Sequence, residues 1–140
     1  MPVFYKYLNC LDLILTPDVS TNHHIQWFYF EVYNTPGNSV PIRFNILNLE
    51  KPKSQYEKGM QVLAFSVTDA AVGRPYWRRV GQDICYYKNY LQHPSGTLPT
   101  TSYYTMTFTM AFDHPNDVVY LAYHFPYSYT SLLVSWLGFF

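Results

Sequence analysis

Five histidines, two cysteines and nine basic residues are the side chains of this sequence whose types could do metal, thiol or charge chemistry. A hydrolytic zinc centre needs a His-x-x-Glu pair and a later histidine, which leave one coordination position open for water. Three places after His23, His24, His93, His114 and His124 stand Gln26, Trp27, Gly96, Asp117 and Tyr127, so none begins that motif. His23 and His24 are adjacent, and in an extended segment they point to opposite faces; the pair reads as a polar strand entry. His124 lies among Tyr123, Phe125 and Tyr127 and reads as a hydrogen-bonded core or edge histidine. Cys10 and Cys85 lack the CxxC spacing of a structural zinc site and read as two free thiols. No paired carboxylates, Ser-His-Asp grouping or phosphate-cradling glycines stand out. No catalytic or metal-binding residue is therefore assigned, and an enzyme in its own right is a poor reading.

Charge is more informative than its sum of zero. Eight of the nine basic residues fall between Arg43 and Lys88, opposed there by Glu50, Glu57, Asp69 and Asp83. If the Lys51–Lys58 loop and the Arg74–Arg79 turn share one end of the fold, they make a basic rim. Such a rim would concentrate an acidic chain and speed its capture, an effect that salt weakens. The candidates for that role are Arg43, Lys51, Lys53, Lys58, Arg78 and Arg79; the competing reading is a solvated loop face.

These residues need strands to hold them. In Tyr103–Phe112, Tyr104, Met106, Phe108, Met110 and Phe112 share one face, and Thr105, Thr107 and Thr109 share the other. Ten residues of period two predict a strand with one face buried. Ile42, Phe44 and Ile46 alternate with Arg43, Asn45 and Leu47 before the chain breaks at Pro52; Gln26, Phe28, Phe30 and Val32 alternate with Trp27, Tyr29 and Glu31. Val62–Thr68, Tyr76–Val80, Ile84–Tyr90 and Val118–Phe125 are further strands. Turn signals separate them at Pro36-Gly37-Asn38, Pro52, Gly73 with Pro75, Pro94 with Gly96, and His114–Asp117. Aromatics make up 20% of the chain, and no helix is long enough for a crossover, so the expectation is an all-β, antiparallel two-sheet β-sandwich. Trp27 and Trp77 read as packing residues. The first fifteen residues, interrupted by Lys6, Asn9 and Asp12, read as a poor secretory signal, and the sequence holds no run of about twenty apolar residues and no Asn-x-Ser/Thr sequon. Neither a membrane span nor a nucleic-acid partner is expected.

Four stretches together resemble a known family: Asn22–Phe30 (NHHIQWFYF), Arg43–Met60 (RFNILNLEKPKSQYEKGM), Gly81–Asn89 (GQDICYYKN) and Tyr120–Tyr127 (YLAYHFPY). In order and content they are similar to the N-terminal domain of the cytosolic carboxypeptidases, over about Leu11 to Leu132. The resemblance implies a β-sandwich that accompanies a zinc metallocarboxypeptidase domain, in enzymes that trim glutamates from polyglutamylated tubulin and other acidic tails. It also implies a cytoplasmic location. Zinc and the catalytic residues would belong to that second domain and not to these residues, so no cofactor is expected here. On this reading residues 1–131 are a non-catalytic accessory domain that assists folding of the catalytic domain and substrate approach. Residues 132–140 (LLVSWLGFF) depart from the family pattern as an apolar tail, suggesting a truncated or alternatively ended product. The alternative is a stand-alone module that binds proteins, or carbohydrate by aromatic stacking.

Overall fold

Alternation at residues 41–49 and 102–111 builds the middle of one sheet. The computed structural model describes residues 5–7, 9–37, 40–92 and 102–138. In chain order the strands are β1 (Tyr5–Tyr7), β2 (Cys10–Leu13), β3 (Tyr29–Val32), β4 (Pro41–Leu49), β5 (Val62–Ser66), β6 (Arg78–Val80), β7 (Gln82–Gln92), β8 (Ser102–Ala111) and β9 (Val119–Ala122). A 3-10 turn covers Gln55–Lys58, and two helices, α1 (Val67–Ala71) and α2 (Tyr129–Leu137), complete the set. One sheet has the order β1-β2-β4-β8-β7 and the other β3-β9-β5-β6. The two-sheet sandwich is as expected from the alternation, with one departure: β2 runs parallel to β4, pairing Cys10 with Arg43 and Leu13 with Ile46.

The core is the face that period two assigns to each strand. Phe44, Ile46, Met106, Phe108 and Phe112 from the first sheet meet Phe28, Phe30, Val62, Val119 and Leu121 from the second, all buried. Phe44 stacks on Phe108 with centroids 5.0 Å apart and also touches Phe30 of the opposite sheet. Burying these rings is the main source of stability, since each removes a large apolar area from water.

Several boundaries differ from the alternation. β5 stops at Ser66 rather than Thr68, because the Ser66 hydroxyl accepts from Asp69 N–H and caps α1. β3 begins only at Tyr29, and β6 only at Arg78. Residues 129–137 form a helix that crosses the 131/132 boundary, with every residue from 129 to 137 exposed. β1 and β2 were not foreseen. His93, the Pro94–Gly96 turn, Asn38 and the final Phe139–Phe140 lie outside the described residues.

β4 carries an irregularity between Ile46 and Leu49. There the buried Asn48 turns its amide onto the backbone of Leu15: Leu15 N–H donates to Oδ1 and Nδ2 donates to Leu15 O, both at 2.8 Å. The amide thus prolongs the β2–β4 pairing where the backbone ladder has ended. Asn48→Ala leaves both Leu15 groups short of a partner and should cost about 2 kcal/mol, read as a lowered denaturation midpoint. A change within experimental error would show that solvent replaces both bonds.

The cysteines sit on β2 and β7, three strand steps apart in one sheet, which is about 14 Å. They cannot pair, and both are free thiols.

Candidate functional site

The loop from Glu50 to Gly59 looks in sequence like a solvated turn, yet it is built. The Ser54 hydroxyl accepts from Tyr56 N–H, Glu57 accepts from Ser54 N–H, and Gly59 closes the turn at φ +91. This is a capping box, which satisfies both free donors at the turn's start. Tyr56 drops from it into the core and meets Tyr123 edge-on, with centroids 5.1 Å apart. Tyr86 of β7 donates its phenol to Lys51 O. Burial pushes that phenol's pKa up, so the group stays a donor at any ordinary pH. Lys51, Lys53 and Lys58 are thereby presented outward from one fixed turn beside β7.

The other sequence candidates lie elsewhere. Arg43 is on the outer face of the first sheet, where β4 faces Thr109 of β8; Leu49 at the far end of β4 is about 20 Å away. Arg78, on β6 opposite Ala64, pairs with Asp113, and Arg74 pairs with Asp69 of α1. Arg79 turns back: its guanidinium donates to Gln61 O and lies 5.8 Å over the Phe125 ring. The structure therefore groups the three lysines, brings Arg79 to the strand that follows their loop, and keeps Arg43 and Arg78 apart from them. Asp69 is held below the usual carboxylate range by the hydrogen bond from His114, with Arg74 adding to the effect.

Two features escaped sequence reasoning. The first is an aromatic array on the outer face of the second sheet. Trp27 stacks on Tyr29 and Tyr29 on Tyr120, while Trp77 leans on both Tyr29 and Phe65. Trp27 is 49% exposed and Tyr29 45%, so neither is a core residue. Trp77 is half-buried on this same outer surface, not in the core. The signal was present in the alternation, which put Trp27 and Tyr29 on one side of the strand and Phe28 and Phe30 on the other. The second is Asp117, 3% exposed, whose carboxylate accepts from Ser66 Oγ, Thr68 N–H, Thr68 Oγ and Val118 N–H. Only a turn signal marked it.

As for metals, no three His, Cys, Asp or Glu side chains are grouped to hold an ion among the described residues. His114 is engaged by Asp69.

The sandwich has a counterpart in a solved protein from Shewanella denitrificans, whose name provisionally assigns it to carboxypeptidase A. The likeness has a TM-score of 0.56 at 19% identity and covers 95% of this chain and 28% of that one. It establishes the fold, a β-sandwich. Residues 6–124 match the family model described as the cytosolic carboxypeptidase N-terminal domain. The chain belongs to that family. It is 54% identical over 125 residues to cytosolic carboxypeptidase 1 of Danio rerio, covering 86% of this chain and 11% of the relative. The human protein of that name is 52% identical over 128 residues, with 89% and 10% covered. Human cytosolic carboxypeptidase 4 is 46% identical over 125 residues, with 87% and 11% covered. The chain thus spans about a tenth of the length of these relatives. No helix among the described residues is long and apolar enough to cross a membrane.

Proposed function

We propose that this domain is the non-catalytic accessory unit of a cytoplasmic metallocarboxypeptidase, one that removes glutamates from polyglutamylated tubulin and other acidic tails. It packs against the catalytic domain, assists its folding and shapes the approach of the tail. Zinc and the bond-breaking groups belong to that other domain. The observation that carries the reading is the exposed aromatic array of Trp27, Tyr29, Tyr120, Phe65 and Trp77. Large exposed apolar surface rimmed by polar residues marks an interface. Glu31 and Arg79 border this one, and Arg79 carries Phe125, from which the chain runs on into the exposed apolar α2. The bulk of each matched relative lies outside the matched domain, and it supplies a partner of the required size.

Co-expression with the catalytic domain of a close relative tests this. The expected result is co-purification and a marked rise in soluble yield, both lost in a Trp27→Glu, Tyr29→Glu variant that keeps its fold. Equal solubility alone and together, with no complex formed, would defeat the accessory role. The same rings are what the carbohydrate-binding alternative would use, and quenching of Trp27 fluorescence by an oligosaccharide would favour it.

A further inference from the structure

Among the described residues β7 is the longest strand, and it stands at the edge of its sheet, with β8 on one side and no described strand on the other. An open edge is a row of unpaired amides and carbonyls that an extended chain can join. Pairing with β8 is interrupted between Gln82 and Cys85 and again between Lys88 and Gln92, leaving Cys85–Lys88 as the regular stretch. So short a stretch is a weak template, because a few backbone bonds alone do not offset the cost of ordering a partner. Whatever joins it needs a second attraction, and the lysine loop is next to it. Tyr86, within the regular stretch, holds the backbone of Lys51, and the 3-10 turn bearing Lys58 packs beside β7.

The charges there favour one kind of partner. Lys88 on β7 and Lys51, Lys53 and Lys58 on the loop are exposed, and none forms an ion pair among the described residues. The arginines of the 74–78 turn, by contrast, are already neutralised by Asp69 and Asp113. Of the nearby acids, Glu50 precedes Lys51, Glu57 accepts from Ser54 N–H in the capping box, and Asp83 lies inside the first interruption, in the left-handed region at φ +50. Four lysines thus stand against three carboxylates, and the local balance is positive by one charge.

We propose that the edge of β7 binds an extended acidic peptide by strand addition, with the backbone pairing along Cys85–Lys88 and its carboxylates reaching Lys51, Lys53, Lys58 and Lys88. This deepens the tail-guiding part of the function proposed above and rests on it: the domain would hold a tail straight, not merely attract it.

The test uses the 140-residue chain, isotope-labelled, and a polyglutamate peptide at low and moderate salt. Binding should protect those amides of Cys85–Lys88 that face the open edge from hydrogen exchange, and weaken as salt rises. A Lys51→Glu, Lys53→Glu, Lys58→Glu variant should bind at least tenfold more weakly, and so should a peptide N-methylated at alternate residues. If the N-methylated peptide binds as well as the parent, strand addition is wrong while electrostatic guiding stands. If a folded chain shows no binding at low salt, both fail, though packing on the catalytic domain is untouched. Protection of the same amides by self-association, without peptide, would make the edge a site for a second copy and overturn the proposal.

Discussion

Phe44→Ala is expected to destabilise the domain by about 4 kcal/mol, in the range that removal of a buried phenylalanine costs. Phe44 is fully buried on the central strand of its sheet. It stacks on Phe108 of the next strand, meets Phe112 at 6.4 Å, and reaches Phe30 across the sandwich at 6.3 Å. Truncation therefore opens a cavity where both sheets meet, and the three rings around it lose contacts that nothing else can supply. Typical domains are stable by only 5–15 kcal/mol, roughly, so the variant should be partly unfolded near body temperature. Urea denaturation reads the effect directly. Phe44→Leu should recover more than half of the loss, and a cost under about 1 kcal/mol for the alanine would mean that the core closes around the gap.

Asp117→Ala should cost about 3 kcal/mol for a different reason: it strands donors. Ser66 Oγ, Thr68 N–H and Thr68 Oγ all point at this carboxylate, and the Ser66 oxygen in turn caps α1. The Asp117 backbone N–H is meanwhile given to Thr35, whose hydroxyl donates to His114 O. One carboxylate thus fixes the end of β5, the start of α1 and the loop before β9. Burial alone would raise its pKa, but the hydrogen bonds from Ser66, Thr68 and Val118 outweigh it and leave the carboxyl below its ordinary value. Asp69 is shifted in the same direction. For a carboxyl depressed on folding, the stabilisation is complete above the unfolded pKa of about 4 and is lost as pH falls through the folded value. Thermal stability should therefore drop on acidification below about pH 4, and Asp117→Asn, already weakened at neutral pH, should show a shallower drop. An Asp117→Asn variant with an unchanged acid slope would place the titration elsewhere.

What the sequence disclosed, and what it withheld, follows from the range of each interaction. Alternation along β4 and β8 is a local property of the chain, and it identified Phe44, Ile46, Met106 and Phe108 as core. The motif stretches around Trp27, Lys53, Tyr86 and Tyr123 identified the family that the matched profile and relatives establish. The parallel β2–β4 pairing was not legible, because the polar Lys6, Asn9 and Asp12 broke the apolar pattern of the first residues. Asp12 and Cys10 instead face outward to Asn45. The lysine loop could be seen as a loop but not as a capped turn anchored by Tyr56, since that anchor depends on Tyr123, far along the chain. The neutralisation of Arg74 and Arg78, beside the unpaired loop lysines, was likewise hidden. It turns on Asp113 and Asp69 meeting Arg78 and Arg74 in space.

The order of strands in the first sheet also sets a timetable. β4 lies between β2 and β8, so Pro41 waits for Ala111 before its antiparallel ladder can form, and its other neighbour is joined across everything between Leu13 and Pro41. Contacts this distant in sequence close slowly. Until β8 has left the ribosome, Phe44, Ile46 and Leu49 have only the short β2 beside them, and β3 lacks its partner β9 until residue 122 is made. At that stage apolar strands stand exposed, and the β7–β8 hairpin, formed by neighbouring strands, is the first long ladder the chain can complete. Variants that weaken that hairpin should reduce yield in cells by more than their effect on the finished fold would suggest.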